Sequence, residues 1–268
     1  MILDEFYTLQ NGLNIPKLGL GTWLIDDSIA ANAVRSAVEA GYRHIDTAQA
    51  YENERGVGEG VRTASVARDQ LFVTTKVAAE IKDYDEAARS IDRSLEVSGL
   101  DYFDLMIIHC PQPWAEFRSD NHYYEGNRAV WRALEEAYKA GKLRAIGVSN
   151  FLQDDIENIL SSCEIKPMIN QIECHIKCTP HDVIDYCRGH DILMEAYSPI
   201  AHGNILDSPD IKALADKYAV TVPQLCIRYT LQLGAVSLPK SAKTEHIISN
   251  SQVDFTISDE DMDMLMSL

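Results

Sequence analysis

Short apolar segments alternate with longer amphipathic segments along most of the chain. The short segments are apolar almost throughout and end in a polar residue, whereas the longer ones repeat their apolar residues with a helical period. The short segments predict eight strands: Leu18–Gly21, Arg43–Asp46, Leu71–Lys76, Asp104–His109, Arg144–Ser149, Met168–Ile172, Ile192–Ser198 and Ala235–Pro239. Strands without polar alternation are typical of parallel sheets that helices cover.

The amphipathic segments predict at least one helix after each strand. These helices are Ser28–Ala40, Glu52–Thr63, Asp85–Ser98, Asn127–Ala140, Gln153–Ser162, Pro180–Gly189, Pro209–Tyr218, Pro223–Leu233 and Lys243–Ser249, with a last candidate shortly before Leu268. Three of them stop at Gly41, Gly99 and Gly141, since glycine enters the left-handed region without a steric penalty. Near the N-terminus, Asn11-Gly12 favours a type I′ turn, which predicts a hairpin there.

Eight strand–helix units without a linker rich in Pro, Gly or Ser predict an α/β fold, a single (β/α)8 TIM barrel over residues 1–268 with an N-terminal β-hairpin. A length of 268 residues also suits two domains, but no segment marks a boundary. A doubly wound sheet is the structural alternative, and it needs a glycine-rich loop after its first strand. The run Gly56-x-Gly58-x-Gly60 follows no strand, so we interpret its glycines as sites of close helix packing.

Composition narrows the classes of function. With 24 Lys and Arg against 41 Asp and Glu, the formal net charge of −17 argues against nucleic acid as a partner. No signal peptide is recognised and no apolar run approaches the ~20 residues that cross a bilayer, so we expect a cytoplasmic protein without membrane contact. We also expect a monomer.

Six cysteines in a chain of this length form no disulfide framework, and we expect reduced thiols. Cys174, His175, Cys178 and His181 are metal-ligating residue types, but their spacing matches no usual zinc pattern. We therefore expect no metal site.

Polar residues follow three neighbouring predicted strands at the end where barrel enzymes carry their active sites. Asp46, Lys76 and His109 end the second, third and fourth strands, and Tyr51 follows the second. Each has a structural explanation when taken singly, as a helix cap, a core histidine or a packed tyrosine. Taken together they point to chemistry, because a lysine within an apolar strand needs a buried partner and Asp46 is the natural one.

These four residues suit proton transfer to a carbonyl oxygen. A nearby Lys76 ammonium is expected to lower the pKa of Tyr51, and a shift of ~2–3 units takes roughly 3–4 kcal/mol. His109 can donate from Nε2 to a substrate oxygen and polarise the carbonyl. Carbonyl reduction is the simplest reaction of this kind, and it requires a hydride source such as a nicotinamide cofactor.

Several runs along the chain resemble the aldo-keto reductase family. They are Gly19-Leu-Gly-Thr-Trp23, Gly41-Tyr-Arg-His-Ile-Asp-Thr-Ala48, Gly147-Val-Ser-Asn-Phe151, Asn170-Gln171 and Leu238-Pro-Lys-Ser241, and they occur in the family's order. The resemblance implies a (β/α)8 barrel closed by a hairpin and NADPH-dependent reduction of aldehydes or ketones to alcohols. Its catalytic tetrad falls on Asp46, Tyr51, Lys76 and His109.

The resemblance also implies a set of cofactor-binding residues. Ser149, Asn150 and Gln171 would hold the nicotinamide carboxamide, Tyr197 would stack on its ring, Ser198, Ile200 and Gly203 would pass the pyrophosphate, Gly21 and Thr22 would lie near the ribose, Lys240 and Ser241 would meet the 2′-phosphate, and Asn250 would meet the adenine. Without the family, Lys240 is simply an exposed loop lysine.

Two departures from the family pattern matter. His246 stands where the family usually has an arginine that clamps the 2′-phosphate, and Lys243 compensates only as a point charge, so we expect NADPH use with appreciable NADH activity. Cys110 stands where many relatives have a tryptophan that lines the substrate pocket.

With Trp23 and Trp114 as remaining walls and no long tail after the last helix, we expect an open pocket. It would suit small or polar carbonyls, such as α-dicarbonyls or keto-sugars. Two other functions stay open at this point: an aldolase that forms a Schiff base on Lys76, and a subunit that holds NADP without useful turnover.

Overall fold

A computed structural model describes residues 1–268. Ten strands are present: β1 (Phe6–Thr8), β2 (Asn14–Pro16), β3 (Leu20–Gly21), β4 (His44–Asp46), β5 (Phe72–Val77), β6 (Leu105–Ile108), β7 (Ile146–Ser149), β8 (Ile169–Glu173), β9 (Leu193–Tyr197) and β10 (Val236–Leu238). Strands β3 to β10 pair in parallel in chain order. Bridges from Leu18 to Ser237 and from Gly21 to Lys240 join the chain around β3 to the chain around β10, which are the first and last strands of the eight-stranded sheet. The predicted eight-stranded barrel is thereby confirmed.

Ten α-helices surround the barrel: α1 (Asp27–Glu39), α2 (Glu54–Arg62), α3 (Tyr84–Ser98), α4 (Tyr124–Lys139), α5 (Gln153–Leu160), α6 (His181–Gly189), α7 (Pro209–Lys217), α8 (Val222–Gln232), α9 (Thr244–Ser251) and α10 (Asp259–Met266). The side chains of Asp26, Asp83 and Thr221 accept backbone N–H groups in the first turns of α1, α3 and α8. Such caps satisfy donors that a helix start leaves free. No helix has both the length and the apolar character that a membrane span needs.

The N-terminal hairpin is present, but its turn differs from the predicted type I′. Only Gly12 has a positive φ, and the backbone N–H of Leu9 bonds the carbonyl of Leu13. The loop therefore has three residues, a form that ends in a left-handed glycine. Asn11 stays out of the left-handed region while its side chain bonds the backbone of Leu13 and Arg144.

Helix α2 packs against its neighbours through its glycines. A Cβ added at Gly56 would overlap the carbonyl oxygen of Asp27, and one at Gly58 would overlap that of Ser98. The prediction that these glycines permit close helix packing is confirmed.

The barrel interior changes from apolar to polar along its axis. At the hairpin end, Leu9 and Ile15 pack with Phe72, Leu105 and Ile107 in a buried apolar cluster. At the other end, the strands finish in polar side chains that face a common cavity. The hairpin thus closes one mouth of the barrel and leaves the other for chemistry.

Candidate active site

A buried ion pair lies at the floor of the open mouth. Lys76 Nζ donates to Asp46 Oδ1 at 2.6 Å, to the carbonyl oxygen of Thr47 at 2.9 Å and to Tyr51 Oη at 3.2 Å. All three hydrogens of the ammonium group are therefore donated to acceptors within the protein. Burial alone would lower the pKa of Lys76, but Asp46 and Tyr51 raise it above its ordinary value. Lys76 is a permanent cation here.

Tyr51 lies in a short 3-10 turn, Gln49–Tyr51, that directly follows β4. Burial raises the pKa of its phenol above the ordinary value, and the charge of Lys76 acts in the opposite direction without overcoming it. The expectation that Lys76 brings this pKa below 10 is wrong for the free protein, because desolvation of the phenolate outweighs the ammonium. Tyr51 is consequently protonated at neutral pH.

His109 faces Tyr51 at the same floor, with 5.6 Å between the ring centres. Burial and the charge of Lys76 hold its pKa well below the ordinary value, so the imidazole is neutral. Its Nδ1 is buried and has no hydrogen-bond partner. A hydrogen on Nδ1 would find no acceptor, which favours the tautomer with its hydrogen on Nε2. That atom can donate to a substrate oxygen.

A cavity of about 800 Å³ rises from this floor. Fourteen of the predicted site residues line it: Gly21, Trp23, Asp46, Tyr51, His109, Trp114, Ser149, Asn150, Gln171, Tyr197, Ser198, Ile200, Gly203 and Lys240. It extends from the tetrad to Lys240 in the loop after β10.

Asn150 ties together the strand ends at the inner part of the cavity. Its Nδ2 donates to the carbonyl of His109 at 3.0 Å and to Ser149 Oγ at 3.1 Å, while its Oδ1 accepts from the Tyr197 hydroxyl at 2.8 Å. In this position the backbone of Asn150 adopts a left-handed conformation, with a φ of 62°. Asparagine tolerates that conformation better than most residues.

Gln171 presents one polar atom to the cavity. Its Nε2 donates to Asp46 Oδ2 and to Glu195 Oε2, both at 2.9 Å. Its Oε1 receives no hydrogen bond from the protein, which leaves an acceptor for an amide group in the cavity. A nicotinamide carboxamide carries such an N–H, so this end of the cavity fits the implied cofactor.

Two predicted site residues lie behind the cavity wall. Thr22 is fully buried and donates its hydroxyl hydrogen to the carbonyl of Asp46 at 2.9 Å, so it links the end of β3 to β4 and does not line the cavity. Cys110 is also fully buried, contrary to the expectation that it lines the substrate pocket. Its thiol faces Gln112 Oε1 at 4.0 Å, and Lys82 donates to its carbonyl at 3.0 Å.

The cavity lining ends at Lys240, and four predicted residues that follow it in the chain, Ser241, Lys243, His246 and Asn250, do not line the cavity. Lys240, Lys243 and His246 are exposed on the loop after β10 and on the first turns of α9. His246 Nε2 lies 3.7 Å from the carboxylate of Glu245. Ser241 and Asn250 are buried, and the Ser241 hydroxyl accepts the N–H of Lys243 at 3.1 Å.

Aromatic residues form the rim above the catalytic floor. Trp23 is 44% exposed and meets the His202 ring edge-on at 5.2 Å. Trp114 is 39% exposed, and its ring centre lies 5.0 Å from that of His109. The rim is therefore partly open above His109.

Sequence reasoning missed three polar residues of the site. Glu173 lines the cavity but lies one residue beyond the predicted sixth barrel strand. His202 lies in an irregular loop that carried no signal. Glu195 sits within the apolar strand β9, and the argument that singled out Lys76, a charge within a buried strand, would have found it.

Comparison with known proteins agrees with this geometry. The model of the Aldo/keto reductase family matches residues 17–268. Glyoxal reductase of Bacillus subtilis is 42% identical over 268 residues, covering 99% of this chain and 93% of that protein. The 9,11-endoperoxide prostaglandin H2 reductase of Trypanosoma cruzi is 40% identical over 260 residues, covering 95% and 88% respectively.

Solved structures show the same relation. An aldo/keto reductase from Brucella melitensis superposes with a TM-score of 0.91 at 35% identity, covering 98% of each chain. A Bombyx mori aldo-keto reductase in complex with NADP gives a TM-score of 0.87 at 33% identity, covering 98% of this chain and 92% of that one. The chain belongs to the aldo-keto reductase family and is an NAD(P)H-dependent carbonyl reductase.

Proposed function

We propose that the protein reduces small or polar carbonyl compounds to alcohols, with NADPH as hydride donor and Tyr51 as general acid. The observation that carries this proposal is the contact of Lys76 Nζ with both Asp46 and Tyr51 beside a neutral His109. These groups meet at the floor of a cavity that most of the predicted cofactor residues line.

Each member of the tetrad has a separate task. His109 Nε2 donates to the carbonyl oxygen and draws electron density from the carbon. Tyr51 Oη gives its proton to that oxygen as the carbon is reduced. Lys76, held cationic by Asp46, stabilises the phenolate that Tyr51 then becomes. The raised pKa of Tyr51 suits this direction of reaction, since the phenol carries its proton at neutral pH.

The cofactor supplies the hydride when bound. Ser149, Asn150 and Gln171 would hold the carboxamide, and the ring of Tyr197 would lie beneath the nicotinamide. The loop with Ser198, Ile200 and Gly203 would receive the pyrophosphate, Gly21 would lie near the ribose, and Lys240, Ser241 and Asn250 would meet the adenosine phosphate and adenine.

We expect the preference for NADPH over NADH to be incomplete. His246 lacks the forked guanidinium that binds a phosphate in two places, and Glu245 sets a negative charge beside it. Lys240 and Lys243 remain as point charges. We therefore expect NADPH to be preferred while NADH supports measurable turnover, which the ratio of kcat/KM for the two cofactors tests. A preference as strong as in relatives with an arginine at this position would contradict the assignment.

The open rim favours small or polar substrates. Trp23 and Trp114 both line the cavity and remain partly exposed at its rim. The Bacillus subtilis relative is named for glyoxal, the smallest α-dicarbonyl, which supports this substrate class. The Trypanosoma cruzi relative is named for a prostaglandin endoperoxide and supplies the opposite case, a bulky lipid.

A substrate panel tests the proposal directly. Glyoxals, simple aldehydes, keto-sugars, aromatic ketones and steroids would be assayed by NADPH oxidation, with Tyr51→Phe as the control. We expect the highest kcat/KM for α-dicarbonyls and loss of turnover in the control. Exclusive turnover of bulky ketones would contradict the open-pocket argument.

The geometry disfavours the aldolase alternative. A Schiff base requires a neutral amine, whereas Lys76 donates all three of its hydrogens to fixed acceptors and has a raised pKa. Borohydride treatment with substrate is therefore expected to leave Lys76 unmodified.

A cytoplasmic monomer remains part of the proposal. All six cysteines are free thiols, which suits a reducing compartment. Light scattering on the purified protein tests the monomer, and a mass of twice 30.0 kDa would overturn it.

A further inference from the structure

Glu195 is a buried acid that the proposed mechanism does not use. It lies in the middle of β9 and is fully buried. Its Oε1 lies 3.8 Å from His44 Nε2 on β4 and has no hydrogen-bond partner. Strands β4 and β9 are not neighbours in the sheet, so this contact crosses the barrel interior below the tetrad.

The other oxygen of Glu195, Oε2, accepts a hydrogen bond from Gln171 Nε2. A primary amide carries two N–H hydrogens on one nitrogen, and Gln171 Nε2 has an acceptor for each, Asp46 Oδ2 and Glu195 Oε2. A flipped amide would put its oxygen against the carboxylate of Asp46. The nitrogen must therefore point down into the barrel, and the carbonyl oxygen must point toward the cavity.

We propose that Glu195 is a positioning residue for cofactor binding. By taking the second N–H of Gln171, it fixes the amide so that the cavity meets a hydrogen-bond acceptor and no donor. The nicotinamide carboxamide then binds Gln171 through its own N–H. This inference rests on the proposed function, because it assumes that the nicotinamide lies beside Gln171.

Asp46 alone does not fix the amide in this way. The hydrogen bond to Asp46 disfavours a full flip of the amide, but by itself it lets the amide plane swing about its terminal torsion, which is a broad minimum for glutamine. Two acceptors on different strands, β4 and β9, hold both hydrogens of Nε2 and remove that freedom. The geometry thus gives Glu195 a task that Asp46 does not cover.

The charges around Glu195 agree with such a role. Its neighbours are Asp46 and His44 on β4, Lys76 on β5 and Gln171 on β8. Burial, together with Asp46, raises the pKa of Glu195 to about 8, and burial with Lys76 lowers that of His44 to about 3. At neutral pH both groups are uncharged. Glu195 therefore offers an acceptor without placing a second negative charge beside the Asp46–Lys76 pair.

A cofactor analogue tests the assignment by binding alone. The 3-acetylpyridine analogue of NADP⁺ has a methyl ketone in place of the carboxamide and carries no N–H there. The dissociation constants of NADP⁺ and of the analogue would be measured by quenching of tryptophan fluorescence at pH 7. We expect the wild type to bind NADP⁺ about fivefold more tightly than the analogue, the size of one neutral hydrogen bond.

Three variants complete the experiment. Glu195→Leu removes the acceptor, and we expect the ratio of the two constants to fall toward one through weaker binding of NADP⁺. Glu195→Gln keeps an acceptor oxygen and is expected to keep the wild-type ratio. Glu54→Leu is the matched control, since Glu54 is a buried glutamate that bonds Thr75 and Ser94 and does not touch Gln171. Thermal unfolding of each variant verifies that it is folded.

The outcomes separate this inference from the proposed function. A wild-type ratio of one, or a wild-type ratio retained in folded Glu195→Leu, overturns the role of Glu195 while the reductase stands. Loss of the ratio in Glu195→Gln as well overturns it too, because an acceptor would then not suffice. A wild type that binds neither nucleotide overturns the cofactor assignment itself.

Discussion

The catalytic site and the proposed 2′-phosphate site are stabilised in opposite ways. At the catalytic end, Lys76, Asp46 and Gln171 are buried and joined by hydrogen bonds of 2.6 to 2.9 Å. At the proposed 2′-phosphate site, Lys243 and His246 are exposed and make no such network. Buried polar groups lose much when a partner is removed, whereas exposed charges are screened by water and salt. Changes at the first end should therefore be severe and insensitive to salt, and changes at the second end mild and sensitive to it.

The largest effect is expected on stability from Lys76→Met. It leaves the Asp46 carboxylate buried without its cation, and breaking a buried pair in this way costs about 3–5 kcal/mol. Chemical denaturation measures the free energy of unfolding. Lys82→Met is the control, because Lys82 is a half-buried lysine that donates only to a carbonyl. Equal losses of unfolding free energy in the two variants would mean that the Asp46–Lys76 ion pair adds no stability beyond that of an ordinary half-buried lysine.

Tyr51→Phe should act on the rate and not on the fold. A general acid contributes about 10²–10⁴-fold, so we expect kcat for carbonyl reduction to drop by a factor in this range. The dissociation constant of NADP⁺ should stay near the wild-type value. A kcat within tenfold of wild type would remove Tyr51 from the role of proton donor.

Glu195→Gln should change how stability depends on pH. The pKa of Glu195 is raised from 4.5 to about 8 in the folded protein, so between these values the folded state holds a proton that the unfolded state releases. Wild-type stability consequently falls as the pH rises through this window, by up to about 1.4 kcal/mol per pH unit, and the glutamine variant lacks this contribution.

Unfolding free energies at pH 5 and pH 7.5 measure that effect. We expect the variant to gain on the wild type between the two values. A constant difference would show that Glu195 ionises normally and that the interior of the barrel is better solvated than its burial indicates.

The smallest effect is expected at the exposed end. His246→Arg supplies a forked donor for the 2′-phosphate, and we expect the NADPH-to-NADH ratio of kcat/KM to rise by about fivefold, near 1 kcal/mol. Because the site is exposed, high salt should reduce the gain. A gain that persists in 1 M salt would mean that the surroundings of His246 are more enclosed than the exposure of this side chain indicates.

The fold and the tetrad could be predicted from the sequence because both follow from short stretches of the chain. Apolar strands that end in Asp46, Lys76 and His109 had to place those ends at one mouth of a parallel barrel, and the structure does so. Helix ends marked by glycine were found where predicted at α1, α3 and α4. These features depend on the residue and its immediate neighbours.

The features that were missed depend on distances across the barrel. The pKa of Tyr51 is set by the balance of burial against Lys76, and no pattern in the chain gives that balance. Cys110 and Thr22 were assigned to the substrate and cofactor sites from the family pattern, yet both are fully buried and neither lines the cavity. Glu195 became meaningful only when Gln171, on a different strand, was seen to bond it.

The pH dependence of kcat/KM for carbonyl reduction tests the central claim, that Tyr51 and not His109 delivers the proton. Burial raises the pKa of Tyr51 above its ordinary value, and burial with the charge of Lys76 holds the pKa of His109 well below its own. We therefore predict that kcat/KM stays level between pH 5.5 and 7.5, a span of about one unit on each side of an ordinary histidine pKa of about 6.5, and falls only above pH ~10. A fall centred near pH 6.5 would make the His109 imidazolium the acid and contradict this account.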